Sequence, residues 1–90
     1  MLKIVQSNRF TKDLKLALKR GYDLNELSKI IELLANKKAL PISCKDHALS
    51  GDYSNFRECH IKPDWLLIYH IDDEELELFL LRTGTHSNLF

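Results

Sequence analysis

Apolar positions along this chain follow two periods, one typical of helices and one typical of strands. Near the start, the spacing of Phe10, Leu14 and Ala17 predicts an amphipathic helix, because residues three and four apart lie on the same side of a helix. Ser7 or Asn8 can cap this helix, since a short oxygen-bearing side chain accepts a hydrogen bond from an otherwise unpaired amide.

A second helix is predicted directly after the first. Gly21 can end the first helix in a left-handed conformation, and Asp23 can begin the next, with Glu26 three residues later in the manner of a capping box. The apolar side of this second helix consists of Leu24, Leu27, Ile30, Ile31 and Leu34. The short connection predicts an antiparallel helix hairpin, which needs a further apolar surface to cover.

Four segments have the residue types and patterning of β-strands, namely residues 2–6, 56–61, 65–71 and 76–83. Segment 65–71 is almost entirely apolar, which indicates burial on both faces. Tight turns at 62–64 and 72–75 should join the last three strands into an antiparallel meander. Residues 37–55 look irregular, and a connection of this length in a small domain is typical of a binding or catalytic loop.

The predicted order β-α-α-β-β-β is that of an α+β domain, in which the helix hairpin covers one face of a twisted antiparallel sheet. Ninety residues, 44% of them apolar, suffice for a single domain spanning residues 1–90. The other face should stay partly uncovered. Alternation along 56–61 places Phe56, Glu58 and His60 together on one face, where they can meet side chains from the loop and the strand ends.

The charge distribution and the cysteine spacing limit the partners and the cellular setting that this protein can have. Net charge is zero, yet residues 1–45 carry ten Lys and Arg against four acids, while Asp and Glu occupy all of 72–75. This segregation allows a phosphate-attracting surface, although solvated helix faces would show the same pattern. Cys44 and Cys59 lack metal-binding or disulfide spacing, and neither a signal peptide nor an apolar run of membrane-spanning length is visible. We therefore expect a cytoplasmic protein with free thiols and no membrane association.

Three of the four histidines stand in polar contexts that suggest chemistry. Histidine has an unperturbed pKa of about 6.5, so it can give or take a proton near neutral pH. His60 precedes the turn that contains Asp64, and the last strand should return Arg82 and His86 to the same edge of the sheet. The third of these histidines, His47, lies in the long loop.

Such a cluster suits cleavage of a phosphodiester without a metal or other cofactor. Two groups that titrate near neutrality can serve the proton transfers, each contributing about 10²–10⁴ in rate. Arg82 can grip a phosphate with paired hydrogen bonds, and Lys45 is a further candidate contact. Trp65 or Phe90 can stack on an unpaired base.

Three separated motifs resemble the YafQ branch of the RelE/ParE toxins, which are bacterial toxin–antitoxin ribonucleases. The first motif is Lys45-Asp46-His47-x-Leu49. The second, from Arg57 to Tyr69, includes His60 and Pro63-Asp64-Trp65. The third is Arg82-Thr83-Gly84-Thr85-His86-x-x-Leu89-Phe90. Their order and spacing agree with the family over nearly the whole chain.

The resemblance implies a RelE-like fold and a ribosome-dependent endoribonuclease that cuts messenger RNA and is neutralised by an antitoxin of the DinJ/RelB kind. It also implies a catalytic group of His47, His60, Asp64 and His86, with His86 as general acid and Trp65 and Phe90 at the substrate rim. The general base stays open between His60 and Asp64. An unperturbed aspartate has a pKa of about 3.9, so His60 is chemically the easier base.

Two other readings remain. His47, His60, Asp64 and His86 are acceptable metal ligands, although no metal-binding spacing supports that use. A ParE-like toxin that binds a topoisomerase without cleaving RNA would share the fold and differ only in the site.

Overall fold

A mixed five-stranded sheet forms the centre of the computed structural model, which describes residues 1–90. The strands are β1 (Lys3–Gln6), β2 (His47–Ala48), β3 (Arg57–Lys62), β4 (Trp65–Asp72) and β5 (Glu77–Gly84), in the spatial order β1-β5-β4-β3-β2. The helices are α1 (Asn8–Lys19), α2 (Leu24–Ala35) and a terminal turn of helix, α3 (His86–Leu89). The α+β class and the meander of β3, β4 and β5 are confirmed.

The sheet departs from the predicted antiparallel arrangement at one edge. β1 pairs with β5 in parallel, from Lys3 opposite Glu77 to Gln6 opposite Leu80. Between β1 and β5 the chain passes through the helix hairpin, β2, β3 and β4, and each step of the meander reverses it until β5 runs in the direction of β1. β2 and α3 were not predicted either, because two or four residues are too few to show a hydrophobic period.

The principal core lies between the helices and one face of the sheet. Phe10 of α1 and Leu27, Ile30 and Leu34 of α2 pack there against inward-facing residues of β3, β4 and β5, including Cys59, Leu67, Tyr69, Leu78 and Leu80. Ser7 caps α1 as predicted, with its hydroxyl accepting from the Phe10 amide at 2.9 Å. No helix in this fold is both long and apolar enough to cross a membrane.

The second face of the sheet carries only a small apolar cluster. Leu66 and Ile68 of β4 contact Leu89 of α3, and Leu49, Phe56 and Leu81 surround them. As predicted, Phe56 lies on this face and Cys59 on the helix face. We call this surface the open face, because no long helix covers it.

Candidate active site

Two predicted histidines meet across a buried carboxylate on the open face. β2 places His47 directly opposite Glu58 of β3, and His60 follows two residues later on the same side of β3. The Oε1 atom of Glu58 lies 3.7 Å from Nε2 of His47 and 3.6 Å from Nε2 of His60. Glu58 is only 6% exposed, whereas His47 is exposed. The pair therefore presents one accessible and one half-buried imidazole.

Each of these imidazoles is also held through its other ring nitrogen. Nδ1 of His47 lies 2.7 Å from the carbonyl oxygen of Lys45, and Nδ1 of His60 lies 3.1 Å from that of Pro63. Lys45 adopts a left-handed backbone (φ 49°), and its exposed side chain leaves the loop toward solvent. Backbone contacts thus orient both rings before any substrate binds.

A polar network anchors the loop that carries His47. Asp46 accepts two hydrogen bonds from the guanidinium of Arg57, at 3.3 and 3.1 Å, and a third from the hydroxyl of Tyr69. The hydrogen bond to Asp46 raises the pKa of Arg57, and burial is the main cause of the raised pKa of Tyr69. Tyr69, in the middle of β4, thereby ties the loop to the centre of the sheet.

His86 begins α3, one residue beyond the end of β5. The Thr85 hydroxyl caps this turn by accepting from the Asn88 amide at 3.3 Å, and buried Leu89 anchors it to the small cluster. Cross-strand pairing aligns His60 with Leu66, and Leu66 with Gly84 just before α3. With neighbouring strands about 4.8 Å apart, this register brings the chain near His86 within about 10 Å of His60.

An aromatic rim, formed by Phe90 and Tyr53, lies beside His86. The rings of His86 and Phe90 lie 4.9 Å apart between centroids, and Phe90 lies 5.6 Å from Tyr53, edge to face. Phe90 is 51% exposed. Its position suits the predicted contact with a base, and Tyr53 joins it from the long loop.

Arg82 is engaged by a residue that the sequence did not identify. Its Nε and Nη2 atoms donate to Asp13 of α1 at 3.1 and 2.9 Å, and Asp13 also accepts from the Thr83 amide at 3.1 Å. These hydrogen bonds are the main cause of the raised pKa of Arg82. The pair borders a groove of about 230 Å³ that Arg20 also lines. Only Nη1 of Arg82 is left without a protein partner.

Trp65 is a core residue. It is 3% exposed, its indole N–H donates to the Thr83 hydroxyl at 2.8 Å, and its ring packs on Tyr22 at 4.8 Å between centroids. Burial removes both ring faces from solvent, which corrects the prediction that Trp65 stacks on a base. Asp64 lies exposed in the turn between β3 and β4, immediately after Pro63.

Glu58 and Asp13 are the residues that sequence reasoning missed. Alternation along β3 put Glu58 on the face of His60, and this was the one signal available for it. Asp13 gave no such signal, because it is 69 residues from its partner. No group of three or more His, Cys, Asp or Glu residues is placed to hold a metal ion.

Comparisons with known proteins agree along the whole chain. A family model described as "Bacterial toxin of type II toxin-antitoxin system, YafQ" matches residues 2–90. The mRNA interferase toxin YafQ of Escherichia coli K12 is 44% identical over 88 residues, which cover 97% of this chain and 94% of that protein.

Solved structures give the same result. A metal-bound toxin from Helicobacter pylori is 50% identical, with a TM-score of 0.95 and both chains covered in full. A chain of the E. coli DinJ–YafQ toxin–antitoxin complex is 42% identical, with a TM-score of 0.88 and coverage of 100% of this chain and 99% of that one.

Proposed function

Because the chain belongs to the YafQ family of bacterial type II toxins, we propose that it is an endoribonuclease that cleaves messenger RNA on the ribosome. The 44% identical E. coli relative is an mRNA interferase. The observation that carries the proposal is the grouping of His47 and His60 around Glu58. His86 and the aromatic rim lie just beyond the end of β5, two strands from β3.

The proposed reaction is an internal transesterification. A base removes the proton of a ribose 2′-OH, the 2′-oxygen attacks the adjacent phosphorus, and an acid protonates the departing 5′-oxygen. The products are a 2′,3′-cyclic phosphate and a 5′-hydroxyl, so the reaction consumes no water. Side chains whose pKa values lie near neutral pH are suited to both proton transfers.

We assign the acid to His86 and the base to His60. His86 begins a short terminal helix beside the exposed ring of Phe90, where a leaving nucleotide can reach it. His60 has Nδ1 against the Pro63 carbonyl, so Nε2 is the nitrogen able to accept a proton. Asp64, at the end of the same hairpin, is the alternative base. His47, the exposed imidazole beside Glu58, completes the proposed catalytic group.

Substrate contacts are proposed for three further side chains. Phe90 offers an exposed ring on which a base can stack, a contact worth about 1–3 kcal/mol. Arg82 can reach a phosphate through Nη1 while Asp13 holds the other two nitrogens. Lys45, exposed beside His47, supplies a second cation.

The partners follow from the same argument. The excess of Lys and Arg in residues 1–45 favours a surface that meets ribosomal RNA. The DinJ–YafQ complex supports an antitoxin of the DinJ/RelB kind as the inhibitory partner. A substrate on the ribosome would place the protein in the cytoplasm.

Inducible expression of the wild type beside His86→Ala tests this function, with messenger-RNA 5′ ends mapped by primer extension. His70→Ala is the matched control, because His70 lies on β4 against Phe56 rather than in the proposed catalytic group. New in-frame cleavages with growth arrest, lost in His86→Ala and kept in His70→Ala, are expected. Growth arrest without cleavage would contradict the proposal and favour a binding toxin of the ParE kind.

A further inference from the structure

Glu58 is the only charged residue that the fold buries, with 6% of its surface exposed. A buried carboxylate is costly unless hydrogen bonds or opposite charges compensate it. Its only partners within ion-pair distance are the Nε2 atoms of His47 and His60, at 3.7 and 3.6 Å from the same oxygen, Oε1. The fold therefore holds this carboxylate between two imidazoles.

The backbone determines which nitrogen of each ring carries the permanent hydrogen. A carbonyl oxygen can only accept, so Nδ1 of His47 must donate to Lys45 and Nδ1 of His60 must donate to Pro63. In the neutral rings the Nε2 atoms are then bare acceptors. Both bare nitrogens face the same carboxylate oxygen, which is also an acceptor.

Two acceptors that face each other gain no hydrogen bond, but a proton on either Nε2 changes this. The protonated ring forms an ion pair with Oε1, which lies within 4 Å, and the carboxylate balances its charge. One oxygen between two rings can balance a proton on either of them. The arrangement suits a site in which one imidazole holds a proton while the other stays free to accept one.

We propose that Glu58 is a positioning residue: its carboxylate keeps the Nε2 atoms of His47 and His60 together and balances a proton on either ring, while the Lys45 and Pro63 carbonyls hold both rings as Nδ1–H tautomers. This role rests on the proposed ribonuclease function, in which those two rings act on RNA. Glu58 itself does not touch the substrate, because 93% of its side chain is covered and the two imidazoles lie against its oxygen.

The tautomers are tested first, on the ¹⁵N-labelled full chain, by long-range ¹H–¹⁵N correlation of the imidazoles at alkaline pH. His47 and His60 should both show the Nδ1–H pattern, which is the less common form in free histidine; His70 serves as the internal reference. An Nε2–H pattern in either ring would overturn the proposal. This readout does not depend on enzymatic activity.

Kinetics on ribosome-bound messenger RNA then compare Glu58→Gln with Glu58→Asp. Loss of a group that orients a metal-bound imidazole costs about 10–100-fold, and by analogy Glu58→Gln should lower kcat by that factor with KM unchanged. Glu58→Asp keeps the charge and should recover most of the loss. Equal activity of Glu58→Gln and wild type, or equal losses in both variants, would overturn the role of the carboxylate.

The two proposals fail in different ways. A wild-type chain that never cleaves RNA contradicts the proposed function, while the imidazole spectra still decide the tautomers of His47 and His60. A wild type that cleaves, together with an unaffected Glu58→Gln variant, contradicts the positioning role alone. Should Glu58→Gln not fold, the tautomer spectra of the wild type and the kcat of Glu58→Asp remain decisive, and a tenfold loss in Glu58→Asp would then overturn the proposal.

Discussion

Asp13→Ala should destabilise the fold far more than breaking an exposed ion pair does. Asp13 and Arg82 have side chains only 10% and 16% exposed, and Asp13 also satisfies the Thr83 amide. Alanine would leave a covered guanidinium without its counter-charge and a backbone donor without its acceptor. Because β1 pairs with β5 only as far as Leu80, no strand can supply that acceptor instead.

The magnitude follows from the burial of this pair. Removing one partner of a buried ion pair costs about 3–5 kcal/mol, and the residual exposure places the expected loss at the lower end, about 3 kcal/mol. In a domain of this size that loss corresponds to a fall in Tm of about 12–24 °C. Asp13→Asn keeps an acceptor for the Thr83 amide, so its loss should be about 1 kcal/mol smaller.

Urea unfolding followed by circular dichroism measures these losses. Asp73→Ala is the matched control, because Asp73 pairs with Lys37 while the two side chains are 72% and 52% exposed, and such surface pairs contribute about 0–1 kcal/mol. A free energy of unfolding for Asp13→Ala within 0.5 kcal/mol of the Asp73→Ala value would refute the reasoning that burial makes this pair important.

Three further predictions concern single side chains. Trp65→Phe should lower the free energy of unfolding by about 1–2 kcal/mol, because it loses the indole hydrogen bond and has a smaller ring. Cleavage by the folded variant should be unchanged, because this side chain is buried. A selective fall in kcat/KM would restore a substrate role. Phe90→Ala should leave the unfolding midpoint within a few degrees and reduce kcat/KM on ribosome-bound messenger RNA by roughly 5–150-fold, the equivalent of about 1–3 kcal/mol of stacking; an unchanged kcat/KM would contradict stacking. Burial raises the pKa of the Cys59 thiol, so the thiol stays protonated at neutral and mildly alkaline pH. Cys59 should therefore react with a disulfide reagent only when urea unfolds the chain. Rapid labelling of Cys59 in the native protein at pH 8 would contradict its burial.

Elements with a repeating apolar pattern could be predicted from the sequence. Phe10, Leu27 and Leu34 recur at helical spacing because one side of each helix faces the sheet, and the apolar run of β4 reflects burial on both faces. The short strand that holds His47 and the terminal turn that holds His86 contain too few residues for any such pattern. Their positions depend on pairing with β3 and on packing of Leu89.

The candidate site could be predicted in its residue types but not in its partners. Motifs pointed to His47, His60 and His86, and the register of β2, β3 and β4 places the first two around Glu58. Which acid pairs with Arg82 could not be read from the chain, because that pairing joins α1 to the end of β5 across the whole domain. Trp65 was misjudged because a tryptophan beside a catalytic motif has the same sequence signature whether its ring faces the core or the solvent.

The most direct test of the proposed function is a cleavage assay with purified full-length chain, programmed ribosomes and a defined messenger RNA, in which the chemistry of the new ends is determined. Since the H. pylori relative is metal-bound, each reaction is run with the chain pre-treated with a chelator and with untreated chain. We predict cuts within the ribosome-bound message that leave a 2′,3′-cyclic phosphate and a 5′-hydroxyl, survive the chelator, and fall by at least about 10²-fold in His86→Ala. A 3′-hydroxyl with a 5′-phosphate, or cleavage that the chelator abolishes, would contradict the account.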